Sequence, residues 1–176
     1  MDSKFPRFLM ALGTAFLLFG MFLLWQRYSP QKLSFNNYKS APVNYLNQVP
    51  SEIIIPSIKV DLPIYPAQIK NNLWEATTKG ASYLVSSPLP GEPGNSIIYG
   101  HNWTSLLGPL TGVRPGQKVV VVFSNKEKKT FVINYTSVVS PSDTSILEST
   151  AGSKVTIYTC TGFLDTKRFV ATATLE

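Results

Sequence analysis

The chain has 176 residues, 44% of them hydrophobic and 12% aromatic, enough for one compact domain with short appendages and a well-supplied core. That composition excludes wholesale disorder, and thirteen prolines argue for many turns and few long helices beyond the N-terminus. The formal net charge of +6 invites a nucleic-acid partner, but residues 1–50 carry five basic side chains against one acid, while residues 51–176 carry eleven against nine. The excess therefore flanks a hydrophobic segment, where positive charge sets topology and favours anionic lipid head groups. Lys126, Lys128 and Lys129 form the only dense basic group in the remainder, at what reads as a hairpin tip, so no nucleic-acid partner is expected.

From Phe8 to Trp25 no charge occurs in 18 residues. As a helix rising about 1.5 Å per residue, this segment spans roughly 27 Å, close to the hydrocarbon thickness of a bilayer. Lys4 and Arg7 precede it, which predicts a cytoplasmic N-terminus (residues 1–7), a transmembrane anchor (8–25) and everything after it outside the cell. The following LLWQRYSP lacks the small residues of a cleavage site, so the anchor is expected to stay on the chain. Residues 26–50 are polar and contain Asn and Pro without a period, the pattern of an extracytoplasmic stalk. They show no clear hydrophobic plug, so a lid over a groove is not expected from them.

From residue 51 to 176 the texture changes to short β-branched runs punctuated by Pro and Gly. EIIIP and IKVDLPIY read as two strands broken at Pro56 and Ser57. Residues 70–79 (KNNLWEATTK) predict one short helix capped by Gly80. SSPLPGEPGN is a loop, SIIYGH a strand, and KVVVVFS and KTFVINYTSVVS are strands flanking an SNKEK turn. VTIYTC and RFVATATL close the chain as two more strands. Six to eight short strands with little helix predict a mainly β fold, either a closed or nearly closed barrel or a sandwich.

Cys160 is the only cysteine and His101 the only histidine. Taken singly, a lone Cys reads as a small buried hydrophobe and a lone His as a satisfied surface group. Their placement changes that. His101 ends the SIIYGH strand, Cys160 ends VTIYTC, and Arg168 opens the next strand. If those last two strands pair as a hairpin, the guanidinium lies near the thiol. A thiolate is the effective nucleophile, an imidazole passes a proton to a departing amine, and a guanidinium holds a carbonyl or developing oxyanion. Together the three residue types describe acyl transfer through a thioester.

The order EIIIPSIKVDLPI, PGEPGNSIIYGHN, VTIYTC and RFVATA resembles the sortases, membrane-anchored surface cysteine transpeptidases, over roughly residues 52–175. The resemblance rests on a strand ending in Gly100-His101, the strand end Thr156-Ile157-Tyr158-Thr159-Cys160, and an Arg soon after. It implies a sortase-like closed β-barrel of about eight strands with short helices behind one transmembrane helix. It implies Cys160 as nucleophile, His101 as general acid/base and Arg168 as substrate-positioning and oxyanion-stabilising residue. Thr159, Asn102 and Trp103 are further candidates for substrate binding or oxyanion support. The implied substrates are surface proteins with a C-terminal sorting motif of the Leu-Pro-x-Thr-Gly kind, and the acceptor is an amine of a peptidoglycan precursor or a pilin lysine. The alternative is a catalytically inactive, membrane-tethered sortase-like binding or scaffolding domain; a hydrolase with water as acceptor shares the same acyl-enzyme. Asp143 and Glu148 lie where some relatives bind calcium, but calcium takes six to eight oxygens, so no metal and no cofactor is expected.

Overall fold

The computed structural model of the protein describes residues 4–36, 38 and 48–176. Helix α1 (Lys4–Tyr28) contains the stretch Pro6–Gln26, long and apolar enough to cross a bilayer, and none of its most apolar window is buried within the protein. The remaining described chain is built from strands: β1 (Pro50–Ile55), β2 (Val60–Ala67), β3 (Ile69–Lys70), β4 (Leu73–Trp74), β5 (Ala81–Leu84), β6 (Gly94–Gly100), β7 (Lys118–Phe123), β8 (Lys128–Val139), β9 (Ser153–Thr161) and β10 (Lys167–Leu175). Eight of them close into a barrel in the order β1-β2-β5-β6-β9-β10-β8-β7, with β3 and β4 forming a separate two-stranded hairpin. Closure removes the open sheet edge, so each of the eight barrel strands has a neighbour on both sides.

Short turns set the antiparallel pairs. The β1–β2 connection is a 3₁₀ turn at Pro56–Ile58, with Lys59 in the left-handed region at φ 54°. The expected turn between β7 and β8 places Lys126 at φ 69°, and β9 folds back into β10 through Gly162 at φ 79°. Two pairs are parallel, β2 with β5 and β6 with β9, and each needs a crossover. Parallel strands are normally covered on both faces. In β9 every residue from Val155 to Cys160 is buried, although successive side chains point to opposite sides.

Alternation along the strands therefore yields two apolar clusters. Inside the barrel lie Ile53, Ile55, Val119, Val121, Phe131, Ile133, Ile157, Ala171 and Ala173. On the outer face of β6, β9 and β10 lie Ile97, Tyr99, Tyr158, Cys160 and Val170. That second face is covered by Leu33, Phe35, Trp74, Ile146 and Leu147, which come from outside the barrel wall.

The helix expected over residues 70–79 is not formed. Asn71 and Asn72 sit at φ 51° and 61°, two consecutive left-handed residues that close the β3–β4 hairpin. Such a turn matches the twist of the flanking strands, and asparagine tolerates it better than most residues. Glu75 ties the hairpin base by accepting from the Gln68 amide at 3.1 Å and pairing with Lys70 at 2.6 Å. Gly80 caps no helix. It lets the chain run against β2, where an added Cβ would stand 2.2 Å from the Pro63 carbonyl oxygen. Because that neighbour is backbone, Gly80→Ala is expected to cost about 1–3 kcal/mol by overpacking, seen as a lower urea midpoint with an unchanged slope.

Candidate active site

The register of three strands assembles the site. In the parallel β6–β9 pair, Gly100 lies opposite Thr159, so His101 follows at the level of Cys160. In the antiparallel β9–β10 pair, Cys160 lies directly opposite Arg168. The three candidates are thereby brought to one end of three adjacent strands, and all three are buried. The hairpin pairing expected for Cys160 and Arg168 is the observed one.

His101 stacks on Trp103, with ring centroids 4.8 Å apart and planes within 16°. Trp103 is thus a wall of the imidazole's pocket. Asn102 does not reach the imidazole. Its exposed amide donates to the Asp165 carboxylate at 2.6 Å, tying the strand end to the β9–β10 loop. The Thr159 hydroxyl donates to the Gly100 carbonyl at 2.9 Å on the face opposite Cys160, so it braces β6 against β9 instead of pointing into the site. Asp143 accepts from the Ser145 amide and hydroxyl, a local turn, and among the described residues no group of three His, Cys, Asp or Glu side chains could hold a metal ion.

Arg168 Nη1 donates to the carbonyls of Asp165 (3.1 Å) and Lys167 (3.0 Å), which fixes the guanidinium against its own hairpin loop. Nη2 donates to the Ser34 carbonyl at 3.0 Å, and the guanidinium stands 5.9 Å from the Phe35 ring centroid. The thiol of Cys160 donates to the Lys32 carbonyl at 2.9 Å. The chain just beyond α1 therefore lies across the site as a strap. Leu33 is fully buried, Phe35 meets Tyr158 edge-on at 5.0 Å, and Lys32 Nζ donates to the Leu164 carbonyl at 2.7 Å. The Asn36 amide continues the strap by donating to the Pro141 carbonyl at 2.8 Å.

This strap overturns the expectation that residues 26–50 hold no plug. Two apolar side chains in a polar stretch give no period, and most of the grip is backbone carbonyl, which no side-chain pattern records. Residues 37 and 39–47 of the expected stalk lie outside the described residues. Sequence reasoning also missed Asp165, an acid at φ 62° in a short loop, whose one available signal was its place between Cys160 and Arg168.

A family model described as a sortase domain matches residues 53–176 of the chain. The chain belongs to the sortase family. It is 26% identical over 132 residues to sortase A of Bacillus anthracis and 28% identical over 132 residues to sortase A of Streptococcus agalactiae. These alignments cover 73% and 70% of this chain but 60% and 51% of the two relatives' own lengths. Among solved structures, sortase A of Listeria monocytogenes superposes with a TM-score of 0.59 at 27% identity, covering 73% of this chain and 87% of that one. The barrel expected from the sequence is the sortase barrel.

Charge on this sortase's candidate site is set mainly by burial. Burial pushes the Cys160 thiol up to about 11; the Arg168 and Lys32 charges pull against that rise, and the Asp165 charge adds to it. Burial also lowers His101 below the ordinary imidazole value, with Asp165 opposing. The strap-covered site rests as neutral thiol and neutral imidazole near pH 7, consistent with a sulfur that donates its hydrogen to a carbonyl. Asp165→Asn removes a charge that disfavours thiolate and favours imidazolium, so both groups are expected to titrate at lower pH than in the unsubstituted protein. Thiolate ultraviolet absorbance and the NMR titration of the single imidazole would read the two shifts; an unmoved pair would remove Asp165 from the site's electrostatics.

Proposed function

We propose that the chain is a cysteine transpeptidase anchored in the cell membrane by α1, with its N-terminus cytoplasmic and its barrel on the outer side. The observation that carries this reading is the meeting of Cys160, His101 and Arg168 at one edge of β6, β9 and β10, within a sortase-family barrel. The substrates would be surface proteins with a C-terminal Leu-Pro-x-Thr-Gly-like motif, and the acceptor an amine of a peptidoglycan precursor or a pilin lysine.

The chemistry follows from the residues. With the strap displaced, the Cys160 proton passes to His101, and the thiolate attacks the carbonyl carbon between Thr and Gly of the motif. Arg168 donates to the oxygen that gains charge, because its guanidinium stays charged near neutral pH and presents several N–H donors. Collapse expels the glycine amine, which takes the proton from His101 and leaves a thioester on Cys160. An incoming amine attacks that thioester, gives a proton back through His101, and restores the thiol while forming a new amide. Proton count and bond count are conserved over the cycle.

The sealed groove favours the alternative of a sortase-like binding domain without catalysis. One experiment decides between them. The full chain in detergent micelles is mixed with a library of Leu-Pro-x-Thr-Gly-like peptides and followed by intact-protein mass spectrometry. The catalytic reading expects a peptide-sized adduct that disappears on adding an amine and never forms on Cys160→Ala. His101→Ala and Arg168→Met are expected to lower adduct formation by about a hundredfold or more, as loss of a proton-transfer group or an oxyanion donor does elsewhere. A folded protein that forms no adduct with any member would favour the binding domain.

A further inference from the structure

The β9–β10 loop carries two large apolar side chains that the barrel does not use. Phe163 is 83% exposed and Leu164 50%, and among the described large hydrophobic residues Phe163 is the most exposed, ahead of every one on α1. The exposure is not that of a slack loop. The Asp165 amide donates to the Gly162 carbonyl at 3.2 Å, and the Thr166 amide and hydroxyl both donate to the Phe163 carbonyl, at 3.3 and 2.9 Å. The Asp165 carbonyl accepts from Arg168 Nη1 at 3.1 Å, and its carboxylate from Asn102 at 2.6 Å. Leu164 and Asp165 both hold left-handed backbone, at φ 50° and 62°, a conformation unfavourable for a leucine. A backbone tied this closely, and strained in the tying, turns two adjacent apolar side chains to water in order to present them.

The same loop is held at the end of α1. Only Ser29 separates the helix from the 3₁₀ turn Pro30–Leu33. Within that turn Lys32 Nζ donates to the Leu164 carbonyl at 2.7 Å, and it also donates at 3.5 Å to Oε1 of Gln26, in the last turn of α1. One ammonium thus joins the end of the helix to the loop. Trp25, 64% exposed, is the neighbouring aromatic on the helix, and the exposed Lys167 adds a second cation beside the apolar pair. Aromatic and aliphatic side chains flanked by lysines, where a membrane helix ends, match the headgroup boundary of a bilayer. There, rings bury their apolar bodies and ammonium groups meet lipid phosphates. We propose that Phe163 and Leu164 insert into the outer face of the bilayer that α1 spans, so that the β9–β10 loop is a second membrane contact and the Cys160 end of the barrel rests on the lipid surface. The proposal rests on the reading of α1 as a membrane anchor. β8 runs from the level of Leu175 to that of Arg168, so the turn between β7 and β8 lies at the opposite end of the barrel, away from the lipid.

The test uses the full chain in nanodiscs of phosphatidylcholine and phosphatidylglycerol, and reads quenching of an environment-sensitive fluorophore by nitroxide-labelled lipid. The fluorophore is attached, in a Cys160→Ala background, through Thr166→Cys in the loop, Phe16→Cys in α1 or Asn125→Cys in the far turn. A nitroxide placed about 5–10 Å into the headgroup and acyl boundary is expected to quench the label at position 166 about twofold or more and to leave the label at position 125 unchanged. Phe163→Ser/Leu164→Ser is expected to remove most of the quenching at position 166. Phe163→Ser alone removes a smaller part, and it covers the case in which the double variant does not fold. Quenching that persists in both serine variants means that the tether alone brings the loop near lipid, and overturns the insertion. A label at position 166 that stays unquenched while the one at position 16 is quenched overturns it as well. Loss of quenching at position 16 overturns the anchor reading and the insertion with it, so the two failures are told apart.

Discussion

The placement of β9 between β6 and β10 is the constraint on which the site depends. A parallel neighbour on one side and an antiparallel neighbour on the other align the ends of three strands that are distant in the chain. A slip of one residue in either pairing would send Cys160 into the barrel and Ile157 out of it, because side chains alternate with a period of two. The register is thus protected by burial on both faces. The barrel interior needs Val155 and Ile157, while the outer cluster needs Tyr158 and Cys160. The Thr159 hydroxyl bond to Gly100 adds a pin one residue before Cys160 and His101. Burying a Leu, Ile or Val side chain stabilises by about 1.5–3 kcal/mol, so a slip that exposes either cluster loses several such contributions at once.

How much of this was readable in the sequence depends on which physical signal carried it. The strands around the barrel were legible because Val, Ile and Thr runs bounded by Pro and Gly carry their own local propensity. Cys160 and Arg168 were legible as a pair because the hairpin between them is short. The meeting of His101 with Cys160 came from the resemblance alone, since a parallel pairing across 59 positions leaves no local trace. Residues 70–79 misled for a definable reason. Leu73, Trp74 and Ala76 sit at helix-compatible spacing, but the Asn71-Asn72 pair supplies a left-handed turn, and Trp74 gains more by burial in the outer cluster than a short isolated helix could return.

The strap was illegible for a different reason. Its apolar side-chain signal is sparse, chiefly Leu33 and Phe35 with Tyr38 beyond them, while three of its contacts are made by backbone carbonyls that every residue possesses. A reading of side-chain types has no access to that term. The groove does carry a sign that something must cover it: Tyr99 and Tyr158 present broad ring faces on the outside of a barrel wall, where water would otherwise sit. Exposed apolar patches of this size on one domain imply an occupant. Phe35 of the strap and Trp74 of the β3–β4 hairpin supply that cover together.

Electrostatics and occlusion are one effect in this site. Covering the groove removes water from Cys160, which raises its pKa, and offers the Lys32 carbonyl, which accepts a hydrogen only from the protonated sulfur. Arg168, the charge most able to favour thiolate, spends three donor contacts on backbone carbonyls, one of them the strap's Ser34. Departure of the strap therefore acts on the thiol three times in the same direction. Water returns, the S–H acceptor is lost, and one guanidinium nitrogen is freed to face either sulfur or substrate. Each change favours the thiolate. Covering the Cys160 thiol and keeping it neutral are therefore one effect of the same burial.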